Sequence, residues 1–134
     1  MPSSLERFLT AIGYPERAPD GAVSFALLVD DGEVLVRAEG GRLLLSRVLS
    51  RDPAHLPRLA AMAPGRMLRE EAVLAAEPGR DGAVFLWRDL PEDASPAAMQ
   101  RAFEAFCDSC DWWLDRVAGF SEPEPEIPPM TIRP

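Results

Sequence analysis

Two glycine-bearing breaks inside an otherwise apolar stretch restrict the fold of this chain more than any other feature. The run VSFALLVDDGEVLVRAEGGRLLLSRVL, from Val23 to Leu49, holds three segments of strand length separated by Asp30-Asp31-Gly32 and by Gly40-Gly41. Short loops of that composition suit antiparallel hairpins, because Gly and Asp tolerate positive φ. The stretch therefore predicts a three-stranded meander. In its middle segment Val34, Val36 and Ala38 alternate with Glu33, Arg37 and Glu39, which gives one apolar face and one largely polar face with Leu35 as the exception. The first segment is apolar on both sides, with Val23, Phe25, Leu27 and Val29 on one and Ala26 and Leu28 on the other. A one-residue slip would change its burial little, so its register has to come from its neighbours.

The meander needs a cover, and the flanking sequence supplies helices. Leu5, Phe8, Leu9 and Ile12 recur at helical spacing after Ser3, which stands three residues before Glu6 as in a capping box, and Gly13 is placed to end the helix. A helix of about nine residues is marginal alone, so it must lie on the sheet. After Asp52-Pro53, residues Leu56, Leu59, Ala60 and Ala63 suit a second helix; Pro64-Gly65 should kink it before a further turn through Leu68. Between Ala72 and Leu90 the cluster Pro78-Gly79-Arg80-Asp81-Gly82 separates two apolar runs and predicts a second hairpin; a continuous helix from Arg66 to Glu77 is the competing reading. Ser95-Pro96 then opens the longest helix, Ala97 to Ala118, with Met99, Phe103, Phe106, Cys107, Cys110, Trp113, Leu114 and Val117 on one stripe and Gly119 as its stop. Trp112 lies off that stripe, either at the margin of the core or on a surface that meets another protein. The tail SEPEPEIPPMTIRP has five prolines and alternating acids and is expected to stay extended and disordered. The chain is thus expected to form one α+β domain over residues 1–119, with helices packed on an antiparallel sheet of about five strands in the order α-β-β-β-α-β-β-α, followed by a tail at 120–134.

Charge narrows the function classes. With 14 Lys+Arg against 22 Asp+Glu the net charge is −8, which opposes binding to nucleic acid or to anionic membranes. All the basic residues are Arg, so no lysine is available for Schiff-base chemistry. No run approaches the length of a membrane span, and the N-terminus lacks the pattern of a secretory signal, so a cytoplasmic location is expected. At 134 residues a compact monomer exposes roughly 7,000 Å². A standard interface uses about 800 Å² per partner, which leaves room for a self-association surface and a second binding surface.

Catalytic chemistry finds little support. His55 is the only histidine, too isolated in sequence to specify a zinc site or a Ser-His pair. Cys107 and Cys110 have CxxC spacing, but they fall in the middle of a helix, where no N-terminal dipole lowers a thiol pKa, and both lie on the apolar stripe. They read as buried small hydrophobes. No glycine-rich phosphate loop is present, and the carboxylate pairs fall in turns or on solvated faces. The expectation is a non-enzyme without cofactor or metal.

The order of elements, carried by LERFLTAIG, SFALLVDDGEVLVRAEGGRLLLSRVL, AEPGRDGAVFLWRDLP and AFEAFCDSCDWWLDRV, resembles the class I type III secretion chaperones, the Tir-chaperone-like family, from Leu5 to about Val117. The resemblance implies a homodimeric bacterial cytoplasmic protein that binds the N-terminal chaperone-binding segment of a secreted effector and passes the complex to a secretion ATPase. It also implies that the guest lies extended in grooves between the first helix and the sheet. Candidate guest-binding residues are Phe8, Ile12, Val34, Val36 and Leu44, positions that must also cover the meander, and Leu35, which stands among charges. The family's middle helix lies at the dimer interface, which makes Leu56, Leu59, Ala63 and Met67 interface candidates, with Trp112; Pro64-Gly65 departs from the unbroken helix of the pattern. Two alternatives stay open: an adaptor or sensory module of the same fold, and a thiol redox protein using Cys107 and Cys110.

Overall fold

A computed structural model of the chain describes residues 3–30, 32–62, 72–76 and 82–121. The first helix, α1 (Ser4–Ile12), begins where the Ser3 hydroxyl oxygen accepts the Glu6 N–H at 3.1 Å. It ends where the N–H groups of Gly13 and Tyr14 donate to the carbonyls of Thr10 and Leu9. Both caps follow from the residue types at those positions.

Strands β1 (Ser24–Val29), β2 (Gly32–Glu39) and β3 (Arg42–Ser50) form the meander, α2 (His55–Met62) follows, and β4 (Val73–Ala76) and β5 (Val84–Pro91) complete an antiparallel sheet in the order β1-β2-β3-β5-β4. A long helix, α3 (Pro96–Ser121), closes the chain, with Ser95 Oγ accepting the Ala98 N–H at 3.1 Å. The predicted order α-β-β-β-α-β-β-α and the second hairpin are both present, and the helical alternative for Arg66 to Glu77 is excluded at Val73–Ala76. Pro64-Gly65, the Pro78–Asp81 part of the turn, and the tail from Glu122 onward lie outside the described residues.

Register fixes which side chains share a face. Leu27 pairs with Val34, Val36 with Leu45, and Leu43 with Leu90, so these residues point together toward α1 and α3. On that side Leu5, Phe8 and Leu9 of α1 and Met99, Phe106, Cys110 and Trp113 of α3 meet the sheet and lose essentially all contact with water. Phe8 and Phe103 pack edge to face at 5.8 Å between ring centres. Arg7 holds α1 against the β5–α3 connection by donating to the carbonyls of Glu92 at 2.9 Å and Ala94 at 3.3 Å. A register shift between Val48 and Ser50 breaks the alternation at the end of β3, so that the neighbours Leu49 and Ser50 are both buried. At Gly32 the backbone runs directly against the Arg47 guanidinium, which would have to move aside for a Cβ.

Gly119 does not end the last helix. The helix runs through it to Ser121, because Phe120 is held by tertiary contact: its ring lies 5.1 Å from that of His55 and 3.9 Å under the Arg58 guanidinium. That contact outweighs the weak helix propensity of one glycine.

Phe8→Ala should remove about 3–5 kcal/mol of stability, since it empties a closed site at the α1–sheet–α3 junction. Urea unfolding followed by far-UV circular dichroism checks it, through a lower midpoint with an unchanged slope.

Candidate functional site

None of the described helices packs on the other side of the sheet, where several large apolar side chains stay exposed. Ala26, Leu35 and Ser46 lie across β1, β2 and β3 on that side, and the pairs Ser46 with Trp87 and Val48 with Phe85 continue it onto β5. Val73 of β4 stands opposite Trp87 on the same face. Leu44, Val48, Phe85, Trp87 and Leu35 line a shallow groove of about 1030 Å³ there, with Glu33, Arg37, Arg51 and Asp89 at its margins. Of six large hydrophobic side chains that remain exposed among the described residues, four belong to this face: Leu28 at 69%, Leu35 at 40%, Val48 at 41% and Val73 at 41%. Exposed apolar residues scattered singly mean little, whereas a contiguous set marks an interaction surface.

Of the candidate guest-binding residues, some are closed within the core and others lie on this face. Phe8, Val34 and Val36 have no exposed surface, so they hold the sheet to its helices and cannot touch a guest without unpacking the core. Ile12 is half-buried against the same core. Leu35 and Leu44 do lie on the open face. Val48, Phe85, Trp87 and Val73 share this face and were not among the candidates read from the sequence. Their signal was present: LLLSRVL and VFLW are apolar at consecutive positions, as expected of strands that need a partner on both faces.

Charged side chains at the margin are tied down in pairs. Arg42 Nε donates to Asp89 Oδ2 at 2.9 Å, and Arg37 lies 3.1 Å from Glu39. Exposed pairs of this kind add little stability; here they frame the apolar strip. At the free side of β1 the Leu28 N–H donates to the Tyr14 hydroxyl at 3.1 Å, and Tyr14 is braced edge to face on Phe25. One strand-edge donor is thereby capped.

Of the interface candidates, Leu59 is fully buried within the chain and belongs to the core, while Leu56 is half-buried against it. Trp112 packs edge to face on Trp113 at 4.9 Å, with the Arg116 guanidinium 4.1 Å over its ring, and sits at the core margin. Ala63 and Met67 lie outside the described residues.

His55 stands at the start of α2 and contacts a serine there. Its Nδ1 lies 2.6 Å from Ser50 Oγ and its Nε2 3.5 Å from Asp52 Oδ2. The Ser50 oxygen also accepts the Asp52 N–H, and Phe120 covers the ring, so the three residues bind the β3–α2 corner together locally. Among the described residues no group of His, Cys, Asp and Glu could hold a metal ion, and no helix is long and apolar enough to cross a membrane. Burial, with the Asp111 carboxylate adding to it, pushes the Cys107 thiol from its ordinary 9.0 up to about 11; Arg47 opposes this only in part. A thiol with that pKa is almost wholly protonated near neutrality, the opposite of what a redox or nucleophilic centre requires.

No protein-family model matches the chain, and no curated protein matches its sequence. Solved structures do match. A chain of the HopA1–SchA chaperone–effector complex is similar with a TM-score of 0.64 at 18% identity, covering 83% of this chain and 90% of that one. The Yersinia pestis type III secretion chaperone SycH, solved with a stable fragment of YscM2, is similar with a TM-score of 0.60 at 16% identity, covering 82% and 96%. YbjN from E. coli, described as a candidate transcription regulator, is similar with a TM-score of 0.61 at 14% identity, covering 87% and 91%. The fold is that of the class I type III secretion chaperones, as the element order implied.

Two substitutions on adjacent residues separate the faces. Leu35→Asp should change stability by no more than about 0.5 kcal/mol, as is usual for exposed positions, whereas Val36→Asp should prevent folding because it buries an unpaired carboxylate; thermal melts check both. Alkylation of Cys107 at pH 8 should be slower in the native chain than in the urea-unfolded one. The thiol pKa is raised on folding, so stability should fall as pH climbs from about 9 toward 11.

Proposed function

We propose that the chain is a non-enzymatic cytoplasmic chaperone of type III secretion that binds the N-terminal segment of a secreted effector in an extended state. The observation that carries this reading is the exposed apolar strip from Leu28 through Leu35 and Val48 to Val73, on a fold shared with a chaperone–effector complex and with a type III secretion chaperone solved with a protein fragment. An unfolded guest can lay alternate apolar side chains along such a strip. It can also add a strand at the free side of β1, next to the hydrogen bond that Tyr14 makes. The guest would be ordered at the moment of binding, and that entropy is offset by apolar area taken from water on both partners. The framing ion pairs and the net charge of −8 keep the empty face from non-specific association.

Dimerisation belongs to the same proposal. The exposed Met62 at the end of α2 and half-buried Leu56, with Ala63 and Met67 that follow in the sequence, would meet a second copy, with Trp112 at the edge of that contact. Delivery of the loaded dimer to a secretion ATPase would follow. The likeness to YbjN favours a second reading, an adaptor of the same fold whose partner is itself folded. The two differ in the state of the partner.

Co-expression with the N-terminal hundred or so residues of the protein encoded beside it is expected to give a stable complex. Light scattering should show two copies of this chain with one guest, and the guest should remain sensitive to protease outside the protected segment. A strictly monomeric chain that captures nothing, or a partner that is compact and protease-resistant when alone, would overturn the proposal.

A further inference from the structure

We propose that the open sheet face pairs with the same face of a second copy, about a two-fold axis that crosses the strands at Leu35. What favours this occupant is the order in which charged and apolar residues lie on the face. Among the described residues it consists of three rows running across the strands. The middle row is Ala26, Leu35, Ser46, Trp87 and Val73. On one side of it lie Arg37, Leu44 and Asp89. On the other lie Leu28 with Glu33, and Val48 with Phe85.

Along β2 the face therefore reads Glu33, Leu35, Arg37, an acid, an apolar residue and a base at steps of two. That order is its own complement. A two-fold rotation about an axis lying between two such sheets, along the middle row, keeps strand order and reverses strand direction, so each strand lies antiparallel on its own image. Glu33 of each copy then stands over Arg37 of the other. On β3 Val48 of each copy meets Leu44 of the other, and Leu35 meets Leu35. Moving the axis by one row in either direction sets like charges together, Glu33 on Glu33 or Arg37 on Arg37, so the charges select a single register.

The dimensions allow it. Sheets pack face to face about 10 Å apart with their strands within about 30° of each other. The charged residues stand roughly 7 Å from the axis along β2, so a 30° crossing displaces each pair sideways by only about 4 Å. An arginine side chain spans that offset. Glu33 and Arg37 are both exposed, and the pair that Arg37 makes with Glu39 is a surface pair that costs little to exchange. Three rows about 7 Å apart on five strands about 4.8 Å apart cover roughly 20 by 24 Å, an area at the small end of specific interfaces. The contact is therefore concentration-dependent and displaceable. It is also distinct from the one proposed at α2, whose Leu59 belongs to the core on the opposite side of the sheet. A guest laid on the same strip would compete with the second copy, and that consequence alone rests on the secretion reading.

The test is sedimentation of the full chain without guest, comparing the native protein with charge-reversed variants. Arg37→Glu and Glu33→Arg should each weaken self-association by about tenfold or more, because each sets like charges together twice in the symmetric pair. An equal mixture of the two variants should associate as the native chain does, since Arg at 33 in one copy then meets Glu at 37 in the other. Any contact through α2 is common to all the samples and cancels from the comparison. The methyl signals of Leu35, Leu44 and Val48 should move with concentration in the native chain and in the mixture, and stay fixed in either variant alone. Variants that self-associate like the native chain, or a mixture that associates no better than its components, would overturn the proposal. So would face methyls that dilution leaves unmoved in the native chain. No guest enters the measurement, so its failure and the failure of the secretion reading are separate results.

Discussion

The antiparallel pairing of β3 with β5 at the centre of the sheet is the constraint on which the rest depends. Both strands are apolar on both faces: Leu43, Leu45, Val84 and Leu86 look one way, Leu44, Val48, Phe85 and Trp87 the other. The register that buries the first set against α1 and α3 necessarily presents the second set on the opposite side, because side chains alternate across a strand. The described helices cover only the first of the two faces.

How the exposed face is kept manageable follows from its surroundings. Arg42 with Asp89 and Arg37 with Glu39 are paired beside it, which limits the apolar strip and discourages sheet-to-sheet stacking out of register. At the β1 edge Tyr14 occupies the Leu28 N–H, so one point of uncontrolled strand addition is closed while the remainder of that edge stays available. A surface of this kind is maintained at some expense in stability, offset by the closed core on the helix side, where Phe8, Leu45, Leu86 and Trp113 are inaccessible to water.

The sequence made the architecture readable because each element carried its own punctuation. Ser3 and Gly13 delimit α1, Gly40-Gly41 turns the meander, and Ser95-Pro96 starts α3, all local signals that tertiary packing did not override. It was less informative about the site. Val34 and Val36 read as the apolar face of their strand and as groove candidates together, and the register with Leu27 and Leu45 shows that they face the helices. The end of α3 and the Ser50–His55 contact depend on residues far apart in the chain, Phe120 in particular, and no local pattern announces them. The exposure of Leu35 was legible because an apolar residue among charges breaks the alternation of its strand.

The most direct measurement is a map of where a bound guest segment protects the chain, by hydrogen exchange together with methyl shift perturbation. The account predicts perturbation at Leu35, Leu44 and Val48 and slowed exchange along β1 and β2, with the helix-side methyls of Leu5, Leu9 and Val36 unchanged. Perturbation confined to α1 and α3, with the open sheet face unaffected, would contradict it.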